Sequence, residues 1–159
     1  VIIFLDIDGV IATRKSYKEE KDRIDRNCVK ILNLLTDKLN ADIVISSTWR
    51  HNTETPSILK HAGVKADIVG TTPRVHLSRD RGIEILTWMS EHKYVGDYLI
   101  IDDDSFDIVP HIPSVNFLYI KNGFSESGLT MEHINNIINP PTFKGEWLEE
   151  ESWLAEKDR

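Results

Sequence analysis

Apolar residues fall along this chain in two alternating rhythms. Short strand-sized runs recur at Val1–Leu5, Asp42–Ile45, Asp67–Val69, Tyr98–Ile101 and Val115–Ile120. Between them the spacing becomes helical. In Asp25–Leu39, the positions Cys28, Ile31, Leu32, Leu35 and Leu39 follow the i, i+3, i+4, i+7 rule, which predicts an amphipathic helix with Asp25 as N-cap. Pro56–Ala62 predicts a short helix ending at Gly63, and Gly82–His92 a longer one striped by Ile83, Leu86 and Met89 or Ser90. A last helix, Met131–Asn139, is stopped by Pro140-Pro141. Strands alternating with helices predict an α/β fold, a Rossmann-like three-layer sandwich around a central parallel sheet with right-handed crossovers. There is no internal repeat and no low-complexity segment.

Length and composition narrow the class. The 159 residues suit one domain, large enough to bury about 68–70% of the unfolded surface. The expected division is a main domain over 1–139 and an acidic extension over 140–159, whose Trp147, Leu148, Trp153 and Leu154 pack on the same body. No apolar run reaches membrane-spanning length. The first strand is expected to begin at Val1 with no leader before it, and the single Cys28 fits a reducing compartment. The expectation is a soluble cytoplasmic protein. A net charge of −7 argues against coating nucleic acid by bulk electrostatics. The charge is uneven, however: 14–30 holds seven basic and four acidic residues, and 146–159 holds six acidic and two basic. A basic loop suits a phosphate-bearing substrate, although most such side chains simply face solvent.

Chemistry-bearing residues gather where strands end or helices begin. The first strand runs into Asp6-Ile7-Asp8-Gly9, two carboxylates at i, i+2 that a continuing strand would place on one side. Open α/β sheets hold ligands at this carboxyl end, and two carboxylates this close call for a cation or proton between them. Ser46-Ser47-Thr48-Trp49-Arg50 follows the second strand, Arg79-Asp80-Arg81 opens the Gly82 helix, and Asp102-Asp103-Asp104 with Asp107 follows the strand Tyr98–Ile101. Each group has a task in phosphoryl transfer. One aspartate can attack phosphorus, and a second can carry the leaving-group proton. A hydroxyl and a cation can hold the phosphoryl oxygens, while further carboxylates complete an oxygen-rich Mg²⁺ site.

The set resembles the haloacid dehalogenase superfamily of aspartyl-phosphate phosphatases, matching its DxDG motif, strand-terminal Ser/Thr, basic residue and acidic pair with a further Asp, in order over residues 1–107. The segments SSTWR, RGIEILTWM, YLIIDDDSFD and SGLT (127–130) are similar to the phosphatase domains of Swiss-army-knife RNA repair proteins. The resemblance implies Asp6 as nucleophile and Mg²⁺ ligand, and Asp8 as general acid/base with its backbone carbonyl on the metal. It implies Asp103 as a further ligand, with Asp102 and Asp107 orienting it or binding metal-bound water. Ser46, and less directly Ser47, would bind phosphate, together with Arg81 or Arg79 where the family often has lysine.

Other residues carry two readings. Arg14, Lys15, Trp49 and Arg50 are candidate substrate contacts. Trp49 could stack a base or fill core, and Arg50 could meet phosphate or a structural partner. Thr48 reads as a helix cap, Asp104 as a solvent-facing loop residue, and Cys28 as core. The intervals Val10–Ile24 and His51–Asp80 are too short for a sizeable cap domain, so the site is expected to be open, with the 14–26 loop as a flap. An open site suits a macromolecular end, or a lid lent by an oligomeric neighbour. The leading expectation is a Mg²⁺-dependent phosphomonoesterase for a nucleic-acid end or a nucleotide. The alternatives are a phosphatase for another small metabolite or phosphoprotein, and a non-catalytic domain that binds phosphorylated ligands.

Overall fold

The computed structural model describes residues 1–75 and 80–141. In chain order the elements are β1 (Ile2–Leu5), α1 (Arg14–Glu19), α2 (Arg26–Leu39), β2 (Asp42–Ile45), α3 (Thr55–His61), β3 (Ile68–Thr71), α4 (Arg81–Glu91), β4 (Tyr98–Asp102), β5 (Phe117–Tyr119) and α5 (Met131–Ile138). Short 3-10 turns occupy Thr48–His51 and Ser114–Asn116. The strands form one parallel sheet in the order β3-β2-β1-β4-β5, with β1 at its centre.

Alternation along the strands explains the layers. Ile3, Leu5, Ile43, Ile45 and Ile101 point to one face, where Leu32 and Leu35 of α2, Leu59 of α3 and Ile134 of α5 close a core. Ile2, Phe4, Val44 and Ile100 point to the other, where Ile85 and Trp88 of α4 meet Ile108 and Ile112. Because β1 is buried on both faces, it reads as a continuous apolar run without alternation. The three-layer α/β architecture expected from the sequence is the one observed.

The local signals behave as their chemistry dictates. Asp25 accepts hydrogen bonds from the amides of Asn27 (2.8 Å) and Cys28 (3.2 Å) and starts α2. Gly63 follows the last turn of α3 at φ +104°. Cys28 is core, and burial pushes its thiol pKa up to about 12. Two expectations need correction. The segment after Ala12 is not loop throughout, because α1 forms within it. Its six residues include one large apolar side chain, Tyr17, so no period announces it. The signal that was there is the capping box between Thr13 and Ser16. The last strand is also shorter than its apolar run, since the 3-10 turn takes Val115 and leaves it exposed. The expected acidic extension lies, from residue 142 onward, outside the described residues.

The face-specific core makes a direct forecast. Leu35 is 0% exposed and its neighbour Leu34 is 49% exposed. Leu35→Ala should cost about 2–5 kcal/mol in denaturant unfolding, whereas Leu34→Ala should stay within about 0.5 kcal/mol. Equal losses at the two positions would contradict this packing.

Candidate active site

The site lies at the carboxyl edge of the sheet, where β1, β2 and β4 end together. Asp6 continues β1 by one step, its amide donating to the Ile101 carbonyl at 3.0 Å. The chain then curls. The amides of Val10, Ile11 and Ala12 all donate to the Ile7 carbonyl, forming one tight turn. Gly9 sits in this turn at φ +85°, and a Cβ there would stand 1.9 Å from Asp103 Oδ2. A Cβ on Gly123 would likewise meet the Gly9 carbonyl oxygen at 1.8 Å. The two glycines let the 120–124 segment, the turn and the Asp103 carboxylate press together.

Three carboxylates meet there. Asp6, Asp102 and Asp103 each offer an oxygen, and these oxygens lie within 4.8 Å of one another. Arg81, the first residue of α4, reaches into the group with Nη1 2.7 Å from Asp102 Oδ2 and 3.3 Å from Asp6 Oδ1. Its place is set by Asp80, whose side chain caps α4 by accepting from the Ile83 amide. Burial, then the neighbouring Asp102 charge, hold the Asp6 carboxyl well above the usual carboxylate range, with Arg81 pulling the other way. Burial also raises Asp102, again opposed by Arg81. Burial works against the Arg81 charge, but Asp102 and Asp6 more than offset it and its pKa lies above the ordinary value. Both Asp102 oxygens are engaged, since Oδ1 accepts from the Asp104 amide at 2.9 Å. Asp103 and Asp6 are therefore the freer donors.

Asp8 stands apart from this group. The i, i+2 spacing would keep it beside Asp6 only if the strand ran on, and the tight turn redirects it. Its Oδ1 accepts from the Tyr17 hydroxyl on α1 and from Trp49 Nε1 at 3.2 Å. Tyr17 is held by an edge-on contact with Phe124, centroids 5.2 Å apart, and by Arg23 4.9 Å over its ring. Burial raises the Tyr17 pKa, and the Asp8 carboxylate adds to the effect. Trp49 also packs against the core beneath the sheet. It thus spans both structural and site roles, with its N–H turned to Asp8 rather than offered to a ligand. Tyr17 was not singled out in the sequence; a lone aromatic in a basic flap was its only signal.

The second strand supplies the remaining polar groups. The Ser46 amide donates to the Leu5 carbonyl at 3.0 Å, so Ser46 ends β2 alongside Asp6. Its hydroxyl is buried without a partner. Ser47 is spent locally, accepting from the Trp49 amide to cap the 3-10 turn, and it takes the cap role expected of Thr48. Arg50 pairs with buried Glu84 at 2.6 Å and donates to the carbonyls of Ser46 and Ser47. Asp104 is exposed, and Asp107 stands outside the trio, its carbonyl accepting from the Gly82 amide at 3.3 Å. Burial raises the Asp107 carboxyl, with Asp80 and Asp104 adding to it. Both carboxylates line a cleft of about 540 Å³ beside the trio, together with Arg50, Arg74 and Arg81. Lys15 lines a different groove, against Asp25 and Asn27, and exposed Arg14 is tied by its amide to the Phe124 carbonyl. Neither is brought to the cleft. Arg79 lies outside the described residues, which leaves Arg81 as the cation seen at the trio.

Among the described residues no helix is long and apolar enough to cross a membrane. No curated protein and no solved structure gives a significant match to this chain. A family model does, that of the HAD domain in Swiss Army Knife RNA repair proteins, over residues 2–134. That span takes in every element from β1 to the first turn of α5, and both the acidic trio and the Asp8 cradle lie inside it. The chain belongs to the HAD domain family of Swiss Army Knife RNA repair proteins.

Proposed function

We propose that this protein is a Mg²⁺-dependent phosphomonoesterase acting through an aspartyl-phosphate on a nucleic-acid end or a nucleotide. The observation that carries this reading is the trio of carboxylates, two of them buried and bridged by Arg81, set beside a buried, partnerless Ser46 hydroxyl. The donor set fits a hard cation, being all oxygen, and a partnerless hydroxyl in the same strand-end row fits a phosphoryl oxygen. Asp6 and Asp103 would hold Mg²⁺, with the Asp8 backbone carbonyl, and Asp102 and Asp107 would orient them or bound water. When bound, the cation supplies charge neutralisation for the carboxylates and the phosphoryl oxygens.

The protein's own residues carry the steps. Asp6 attacks phosphorus with a carboxylate oxygen, the ester P–O bond breaks, and the leaving oxygen takes a proton from Asp8. Water then attacks the acyl-phosphate and gives a proton back to Asp8, releasing phosphate and free Asp6. Ser46 and Arg81 hold the equatorial oxygens, where charge is greatest. Tyr17 and Trp49 share one oxygen of Asp8, which fixes the carboxyl and leaves its other oxygen for the proton. A flap as short as α1 does not seal the site, so a substrate end can project into it.

The mechanism makes separable demands. Asp6→Asn should abolish Mg²⁺-dependent hydrolysis of an aryl phosphate, as should chelation; retained turnover in Asp6→Asn would sink the nucleophile assignment. Asp8→Asn should lose about 10²–10⁴-fold on an alkyl phosphate such as a nucleotide, and markedly less on an aryl phosphate, whose leaving group needs less protonation. Trp49→Phe and Tyr17→Phe each remove one hydrogen bond to a charged group and should lower kcat by roughly 10–100-fold. KM should move little, and a pure KM effect would return Trp49 to the role of a substrate contact. The substrate class is tested by comparing 3′- and 5′-phosphorylated oligonucleotides, mononucleotides and sugar phosphates at fixed salt. No preference for the nucleic-acid substrates would remove that part of the reading.

A further inference from the structure

The cleft beside the trio is chemically divided. The sheet order β3-β2-β1-β4 sets its two sides apart. Asp104 and Asp107 come from the loop after β4, whereas Thr48 and Arg50 follow β2 and Arg74 follows β3. In a chain of net charge −7, the β2–β3 side is a local exception. Arg74 and Arg81 line the cleft with Arg50 and lie near enough to act on it: burial depresses the Arg50 pKa, Glu84 opposes this, and Arg81 and Arg74 depress it further.

A second observation points the same way. Among the described residues the buried side-chain polar atoms with no hydrogen-bond partner are Ser46 Oγ, Arg50 Nε and Thr72 Oγ1. Ser46 and Thr72 directly follow β2 and β3, Arg50 lies in the 3-10 turn after β2, and the Thr72 amide donates to the Ile45 carbonyl at 3.0 Å, which joins the two strand ends. The Arg50 side chain is only 8% exposed and lines the cleft. Buried polar groups are ordinarily paired, and an unpaired, buried guanidinium N–H in a cationic wall of the cleft suits an anion with several acceptor oxygens. Ser46 serves the scissile phosphate in the reading above. Arg50 and Arg74 line the cleft and are not needed for it.

We propose that this wall is a second anion subsite, and that the substrate carries a second phosphate, held by Arg50 and Arg74, besides the one that is cleaved. The proposal rests on the phosphomonoesterase reading for which phosphate is hydrolysed. The second phosphate has two sources with the same chemistry, an internal diester of a strand or the second monoester of a bisphosphate.

Direct binding separates these cases. Asp6→Asn protein with Mg²⁺ is titrated calorimetrically with a nucleoside monophosphate, a nucleoside 3′,5′-bisphosphate, and dinucleotides bearing one terminal phosphate at either end. At least one two-phosphate probe should bind about tenfold or more tightly than the monophosphate, the size of one charge-assisted hydrogen bond. Arg50 is tied to buried Glu84, so its removal tests folding as much as binding. Exposed Arg74 is the informative position. Arg74→Ala should remove most of that advantage and make the salt dependence of two-phosphate binding shallower by about one in log–log slope. Lys65→Ala, in a groove below the start of β2, should leave the advantage intact. Whichever two-phosphate probe keeps the advantage identifies the source. Equal affinity for one- and two-phosphate probes, or an equal loss on all probes in Arg74→Ala, overturns the second subsite. Failure of the phosphatase reading shows separately, as wild-type protein that turns over none of the probes.

Discussion

The constraint on which the site depends is electrostatic: three carboxylates within 4.8 Å of one another, with Asp6 and Asp102 almost wholly removed from water. Left alone, such a group would repel itself apart or take up protons. Arg81 answers this by bridging Asp6 and Asp102 from the first residue of α4. Breaking a buried pair of this kind typically costs about 3–5 kcal/mol, because the remaining charge is stranded. The second layer of the fold gains its meaning here. Ile85 and Trp88 dock α4 on Phe4, Val44 and Ile100, and that docking holds the guanidinium between two strand ends. The bridge also keeps Asp102 occupied, which leaves Asp6 and Asp103 as the freer oxygens.

Much of this was legible from residues alone. Two-sided burial of β1 appears in the sequence as an uninterrupted apolar run, and strand ends announce Asp6, Ser46 and Asp102 because each follows such a run directly. The helix stripe of α2 and its Asp25 cap were equally plain, since a long amphipathic helix repeats its signal. The short helix α1 was not. Six residues of α1 contain too few apolar positions to show a period, so the segment read as loop. Spacing also misplaced Asp8, because i, i+2 implies a shared side only while the strand continues. What ends the strand is a set of backbone hydrogen bonds to one carbonyl, that of Ile7, which no side-chain pattern encodes. Long-range partners such as Arg50 with Glu84, or Asp8 with Tyr17 and Trp49, arise from tertiary packing and have no local signature.

That turn is also what allows two aspartates, two residues apart, to hold different offices. Had the strand continued, Asp6 and Asp8 would share one environment and compete for one cation. Instead Gly9, with its positive φ and its contact to Asp103, bends the chain so that Asp6 stays in the acidic trio. Asp8 passes to the flap side, where its partners are neutral donors. A carboxylate among cations and other carboxylates suits attack on phosphorus; one held by a phenol and an indole keeps an oxygen for proton transfer. In the proposed mechanism this separation is the division between nucleophile and acid, made by one tight turn. The flap serves the same end, since Tyr17 ties α1 to Asp8 while Phe124 and Arg23 hold Tyr17 in place. Among the described residues no cap domain covers the site, and in the proposed mechanism alignment of the proton donor falls to this small aromatic cluster, and recognition of the substrate to the cleft lined by Arg50, Arg74 and Arg81.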